Sequence, residues 1–212
     1  VKVSHAYPIM LDVSGRTAVI VGGGAVAARK ALGLLDAGAG AVRCVAPVFN
    51  ADIPENVQRI QEAYQSRHLD GAFLVFAATD NPDVNSAIVR DAHARNLLVN
   101  RADPGEADPG DFVVPASHRA GNVVMTVAAG SPALSAMVRD RLAEAFDPRW
   151  EMLAELMLEL RPAIVRSGLD ISRRRQIFRD LATDGALRAI DDGGPEGVRR
   201  WLLDKYPELQ HA

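Results

Sequence analysis

The chain has 212 residues, a formal net charge of −3 and 48% hydrophobic residues. That length suits one large domain or a medium one with an appendage, and the charge balance gives no reason to expect nucleic acid or an anionic membrane as partner. No apolar run approaches the ~20 residues of a membrane span, no basic-then-apolar leader opens the chain, and the single cysteine, Cys44, has no partner for an internal disulfide; together these give a cytoplasmic expectation.

Residues 6–13 place apolar side chains along an extended stretch that runs into Ser14-Gly15, predicting an edge strand or arm and then a turn. The next stretch organises the rest. Thr17–Val21 is of strand-forming type, Gly22, Gly23 and Gly24 follow at once, and the Ala- and Leu-rich segment 25–37 reads as a helix that stops at Gly38. Strand, glycine turn and helix in that order suit a dinucleotide pyrophosphate. Gly22 permits the sharp turn, Gly24 lets the backbone approach the phosphates, and Ala27 takes the place of the third fingerprint glycine, small enough for close helix–strand packing. The amides of the new helix start then face the anion. Residues 42–46 read as a second parallel strand, with Cys44 as a buried inert thiol.

The end of that second strand has Ala46-Pro47-Val48-Phe49 where many NAD sites carry an acid for the ribose hydroxyls. Arg43 precedes this point, inside the strand, so the residues alone leave NAD and NADP open. A short helix is predicted around Val57 to Tyr64, with a weak strand or loop after it. Phe73–Thr79 is a continuous apolar run, read as a central strand buried on both faces and closed by Asp80-Asn81-Pro82 at its carboxyl end. Residues 83–95 are helical by pattern, and 97–100 form the next strand, ending at Arg101-Ala102-Asp103. The segment 104–111 is a loop by composition. Two short strands follow at 112–116 and 123–128, the second after the turn signal Gly121-Asn122. Ser131 and Pro132 then form the N-cap and first residue of a helix. Everything beyond Pro148 is helical in pattern, and a composition shift lies near 147–150.

Five segments occur in one order: Gly22–Lys30, Ala77–Asn85, Val99–Asp103, Asp111–Ala116 and Gly130–Leu134. With these the chain resembles the precorrin-2 dehydrogenase family, which includes bifunctional dehydrogenase/sirohydrochlorin ferrochelatases and the N-terminal module of siroheme synthases. The likeness is close over residues 5–146 and looser in the tail. It implies an α/β fold: a Rossmann-like parallel-sheet domain over residues 1–111, a small strand-exchanging dimerisation region over 112–147 and a helical domain over 148–212. It further implies a homodimer that uses NAD to oxidise precorrin-2 to sirohydrochlorin, with Fe²⁺ insertion as an additional activity in some members. Since the chain ends at 212, methylation of the tetrapyrrole is expected to fall to another protein. A reading from a different class is a non-catalytic nucleotide-sensing module that uses the helical tail to bind a partner.

By the same resemblance, Gly22, Gly23, Gly24, Ala25 and Val26 would hold the pyrophosphate, Pro47 and Val48 the adenosine side, and Thr79 and Asp80 the nicotinamide end. The family's carboxylate falls on Asp103. The residues point there too: Asp103 follows a core strand, at the edge where open α/β sheets bind ligands, and desaturation needs a group that takes or organises the departing proton. The alternative is a turn cap before Pro104. The proposed substrate carries eight carboxylates, so cations are expected around it, and Arg101, His118, Arg119 and Arg139 are the nearest along the chain. The tail adds Arg161, Arg166, Arg173, Arg174, Arg175 and Arg179, read as a solvated face or as propionate contacts. His118 has no partner at a metal-ligand spacing, so no metal site is expected there, and His5, His68, His93 and His211 are scattered. Two departures from the family stand out. The turn before the second-region helix is shortened to Ala128-Ala-Gly-Ser-Pro132, and the loop 104–110 is longer than usual.

Overall fold

The computed structural model describes residues 6–103 and 110–211; the loop expected at 104–110 and His5 therefore lie largely or wholly outside the described residues. The chain divides after Val114 into two compact units. In the first, five strands form one parallel sheet: β1 (Thr17–Val21), β2 (Ala41–Val45), β3 (Gln58–Ile60), β4 (Leu74–Ala77) and β5 (Leu98–Arg101), ordered β3-β2-β1-β4-β5. Helices α1 (Ala25–Asp36) and α2 (Pro82–His93) form its crossovers. This is the Rossmann-like arrangement expected.

Strand alternation assigns the two faces. Ala18, Ile20, Val42, Cys44, Leu74 and Phe76 pack with Ala27, Ala28, Ala31 and Leu34 of α1. Val19, Val21, Val45, Val75, Ala77 and Val99 pack with Ile88, Val89 and Ala92 of α2. The period of two along each strand sends neighbours to opposite helices. Each fully buried Val or Ile contributes on the order of 1.5–3 kcal/mol. Cys44 lies wholly inside this core, and burial raises its thiol to about 11, so it is inert at neutral pH.

One expectation fails locally. The helix foreseen at 57–64 is instead the edge strand β3, which pairs Arg43, Cys44 and Val45 with Gln58, Arg59 and Ile60, while the helical turn comes afterwards, at Ser66–Leu69. The free edge of β2 decides this, since its backbone groups need partners that the local sequence does not advertise. Of the two readings of the N-terminal stretch, the arm is the one seen: Tyr7, Ile9 and Met10 are exposed, and only Val13 reaches the core, beside an isolated bridge from Ser14 to Ala39.

The second unit holds the hairpin β6 (Ala116–Ala120) and β7 (Val123–Val127), then α3 (Pro132–Glu144), α4 (Arg149–Arg166), α5 (Ile171–Leu181) and α6 (Asp184–Lys205). The first hairpin strand begins where the sequence reading ended it, because Gly121-Asn122 is the turn and antiparallel pairing is counted back from it. Gly121 takes a φ of +49°, the glycine-first pattern of a two-residue hairpin turn. Ser131 caps α3, its hydroxyl accepting from the Leu134 amide at 3.2 Å, with Pro132 first in the helix as expected. The hairpin, α3 and the helical tail fall in one compact unit, whereas the family resemblance divides this stretch at 147/148. Helix α6 breaks at Gly193 and Gly194, and Leu153, Leu156, Ile177, Leu181, Val198 and Tyr206 fill the helical core. Among the described residues no helix is long and apolar enough to cross a membrane.

Candidate functional site

The strand order reverses between β1 and β4, so their carboxyl ends diverge and leave a crevice where such sheets bind ligands. The three glycines at this point do different jobs. A Cβ on Gly22, whose φ is +147°, would stand 2.3 Å from the Ala78 carbonyl oxygen. One on Gly23 would stand 2.1 Å from the Val48 carbonyl oxygen. These two glycines let the chain fold onto the strand ends beside it. Gly24 differs: a Cβ there meets nothing within 4 Å, and its φ of −89° is open to any residue. Its bare side is the cradle. Gly24 is also the N-cap of α1, and no side chain bonds to that helix end, so the amides around Ala25 and Val26 are left to an external acceptor. Ala27, behind them, is fully buried.

The loop after β2 is laced to the glycines by backbone. The Asn50 amide donates to the Gly23 carbonyl at 2.7 Å, and the Gly22 amide donates to the Val45 carbonyl at 2.9 Å. Pro47 and Val48 are exposed beside this bend, and Gln61 donates to the Pro47 carbonyl at 3.2 Å. Arg43, inside β2, is engaged by backbone carbonyls. Its guanidinium donates to the carbonyls of His68 and Asp70, at 3.4 and 2.7 Å.

The opposite rim is a polar network that begins where β4 ends. Thr79 donates its hydroxyl to Asn85 Oδ1 at 2.7 Å, the Thr79 amide donates to the same oxygen at 3.1 Å, and Asn85 Nδ2 returns to the Thr79 carbonyl at 3.0 Å. Asn81 caps α2 by accepting from the amides of Asp83 and Val84. Asp80 is exposed at the tip of this turn. Asn85 is fully buried, and the sequence reading passed it over. Asn85→Ala is expected to lower stability by about 1–3 kcal/mol, since it orphans the Thr79 groups; a thermal melt of the variant checks this.

Asp103 meets the same network. Arg101 donates to it through Nε at 2.6 Å and Nη2 at 2.9 Å, a bidentate pair in which the two side chains are 3% and 14% exposed. The Arg101 hydrogen bonds hold the Asp103 carboxyl below the usual carboxylate range, its nearby charge adds to this, and Asn85 contributes a smaller share. The remaining Arg101 donors reach Ser86 Oγ at 3.0 Å and the Pro82 carbonyl at 3.3 Å. The guanidinium foreseen as a substrate contact is thus spent inside the protein, fixing Asp103 against the start of α2. Alternation along β5 accounts for it, because Arg101 shares the α2 face with Val99.

The other three predicted cations belong to the second unit. Arg119 is exposed on β6, and His118, on the other face of that strand, lies 6.0 Å from the Phe146 ring. Arg139 pairs with Asp140 at 2.7 Å and donates to the Ser117 carbonyl at 3.2 Å. In the tail, Arg173 pairs with Glu208 and stacks on Tyr206, Arg161 lies over Phe178, Arg174 donates to the Val165 carbonyl, and Arg179 donates to Gln176. Much of that cluster holds helices together. Among the described residues no group of three or more His, Cys, Asp or Glu is placed to bind a metal ion.

Comparison with known proteins adds to this geometry. A family model described as "Putative NAD(P)-binding" matches residues 9–116. A siroheme synthase from Photobacterium profundum is 32% identical over 196 residues, covering 89% of this chain and 41% of that protein. Another from Methylobacillus flagellatus is 30% identical over 219 residues, covering 98% of this chain and 46% of that protein. The chain therefore spans less than half the length of these relatives. The solved structure of "SirC, precorrin-2 dehydrogenase" superposes with a TM-score of 0.75 at 24% identity, covering 95% of this chain and all of that one, and has the same fold.

Proposed function

Because the chain belongs to the NAD(P)-binding family whose model spans residues 9–116, we propose that it is an NAD-dependent dehydrogenase that oxidises precorrin-2 to sirohydrochlorin in siroheme biosynthesis, working as a homodimer. The observation that carries this reading is the open cradle at Gly24, set at the crevice between β1 and β4 above an uncapped helix start. Similarity to siroheme synthases over most of the chain supports the substrate.

In this reading Gly22, Gly23, Gly24, Ala25 and Val26 hold the pyrophosphate with backbone amides. Pro47 and Val48 flank the adenosine side, where the ribose meets backbone rather than an acid. The engagement of Arg43 with two carbonyls removes the one cation on β2 that would favour a 2′-phosphate, which supports NAD. Thr79 and Asp80 flank the nicotinamide end, with Thr79 fixed by Asn85. The bound NAD supplies the hydride acceptor.

Asp103 is the catalytic carboxylate. Its depressed pKa makes it a weak proton acceptor and a persistent negative charge at neutral pH. Loss of hydride to NAD leaves positive charge on the tetrapyrrole, a fixed carboxylate stabilises that charge without reorganising, and the proton whose loss completes the desaturation leaves to solvent. Arg101 acts through Asp103, as a positioning residue. His118, Arg119 and Arg139 remain candidates for the substrate's carboxylates.

Anaerobic incubation with precorrin-2 and NAD, followed spectroscopically, is expected to give NADH and sirohydrochlorin together. Unreduced NAD under these conditions would reject the proposal. Subsequent addition of Fe²⁺ or Co²⁺ reads ferrochelation separately.

A further inference from the structure

Lys30 sits on the flank of the apolar stripe of α1, between the buried positions Ala27, Ala31 and Leu34. It is half-buried, and its ammonium lies over the ring of Phe76, 5.7 Å from the centroid. Among the described residues no carboxylate pairs with it. Burial pulls its pKa down to about 8, with Arg29 beside it adding a smaller push in the same direction. A cation held this way is desolvated without being neutralised, which costs free energy unless an anion arrives.

A second unmet group lies on the same face. Phe76 of β4 is the register partner of Asn100 of β5, so in a parallel ladder their side chains point the same way. Asn100 is 5% exposed. Its Nδ2 donates to the Phe112 carbonyl at 2.8 Å, while its Oδ1 has no hydrogen-bond partner among the described residues. Phe112 stands edge-on against Phe76, the ring centroids 5.5 Å apart. Phe76 and Asn100 are each the next-to-last residue of their strands, close to the carboxyl edge where the cofactor crevice opens. The result is an aromatic floor with an unneutralised ammonium above it and an unsatisfied amide oxygen alongside. Buried acceptors are seldom left unmet in a folded chain, so an orphan on the same sheet face as an unpaired cation calls for an explanation.

We propose that Lys30 and Asn100 flank a subsite for the substrate, in which Lys30 takes a carboxylate and Asn100 Oδ1 accepts a hydrogen bond from a ligand N–H. The subsite rests on the functional reading above: the tetrapyrrole carries carboxylates at its periphery and pyrrole N–H groups at its centre. Lys30 is then a specificity-determining residue on the α1 face, whereas Asp103 and Arg101 work from the α2 side.

The test uses the full chain with Lys30→Met, which keeps the length of the side chain, and Lys30→Arg, which keeps the charge. Precorrin-2 KM and kcat are measured anaerobically, and the affinities for NAD and for sirohydrochlorin by isothermal titration. For Lys30→Met the precorrin-2 KM and the sirohydrochlorin Kd should both rise, roughly ten- to a hundredfold, as for loss of one charge-assisted hydrogen bond. NAD affinity should not change, and Lys30→Arg should recover most of the loss. The octamethyl ester of sirohydrochlorin should bind wild type and Lys30→Met alike. Normal wild-type turnover with an unaltered KM and product affinity in Lys30→Met would overturn the subsite while leaving the dehydrogenase reading standing. A loss confined to NAD affinity would overturn it as well, by assigning Lys30 to the cofactor. If the wild type itself fails to oxidise precorrin-2, the functional reading falls and the subsite falls with it.

Discussion

Gly24→Val is expected to leave the protein folded and to abolish cofactor binding, whereas Gly22→Ala is expected to damage the fold. The two glycines are two residues apart, and composition gives no reason to treat them differently. Geometry does. A side chain at 24 projects into open space from a φ of −89°, so the protein itself has no objection to it beyond a weaker N-cap, about 1 kcal/mol or less. The pyrophosphate does object, because the branched side chain fills the volume it needs against the amides of Ala25 and Val26. Loss of two or more charge-assisted bonds at about 1.5–3 kcal/mol each lowers affinity by at least roughly a hundredfold. At Gly22 the new methyl meets the Ala78 carbonyl at 2.3 Å from a backbone conformation that L-residues avoid. Overpacking of this kind costs about 1–3 kcal/mol, to which the backbone strain adds. Circular-dichroism melts together with titration of NAD separate the two. A Gly24→Val protein that binds NAD like the wild type would mean that the pyrophosphate does not cross this bend.

The same bend was the most legible part of the sequence. Thr17–Val21, the glycines and the Ala-rich helix are strong local signals that agree with one another, and the structure places each as read. The apolar run around β4 and the Ser131-Pro132 helix start were readable for the same reason. What escaped depends on partners distant in sequence. Gln58–Ile60 carries no apolar alternation, and only the open edge of β2 makes it a strand. Phe112, Val113 and Val114 look more strand-like than Ser117, His118 and Arg119, yet the hairpin is registered from its turn and takes the polar residues.

The site shows the same division. The place of Asp103 just after a core strand was readable, but its bidentate pairing with Arg101 was not foreseen, although residues two apart share one face of an extended chain. The parity rule that places Arg101 on the α2 face was available from β5 alone. Asn85 closes the segment Ala77–Asn85, yet as one polar residue in an amphipathic helix it carried no sign of its role. Lys30 stands within the fingerprint segment, yet the vacancy of charge around it depends on which face of β4 and β5 lies beneath α1.

Substitution of Asp103 should reveal two effects that need to be kept apart. Asp103→Ala is expected to lower kcat by about 10²–10³-fold, the range for loss of a preorganised charge in an active site, with NAD affinity retained. It should also cost stability, on the order of 1.5–3 kcal/mol, because it strips Arg101 of two charge-assisted bonds in a setting where that side chain is only 3% exposed. Asp103→Asn removes the charge and one of the two acceptors but keeps the other for Arg101, so its kcat should fall nearly as far with a smaller shift in Tm. The pH dependence follows from the sign of the shift. The folded carboxyl titrates below its unfolded value of about 3.9, so its stabilisation is complete above that pH and is lost as pH falls through the lower, folded value. The stability gap between wild type and Asp103→Asn should therefore be level through neutral pH and close in acid. Turnover that survives both substitutions would leave Asp103 as a clamp for Arg101 alone. A fall in kcat for Asp103→Asn out of proportion to its small loss in Tm would instead assign the loss to the missing charge, which is what a carboxylate facing a developing cation requires.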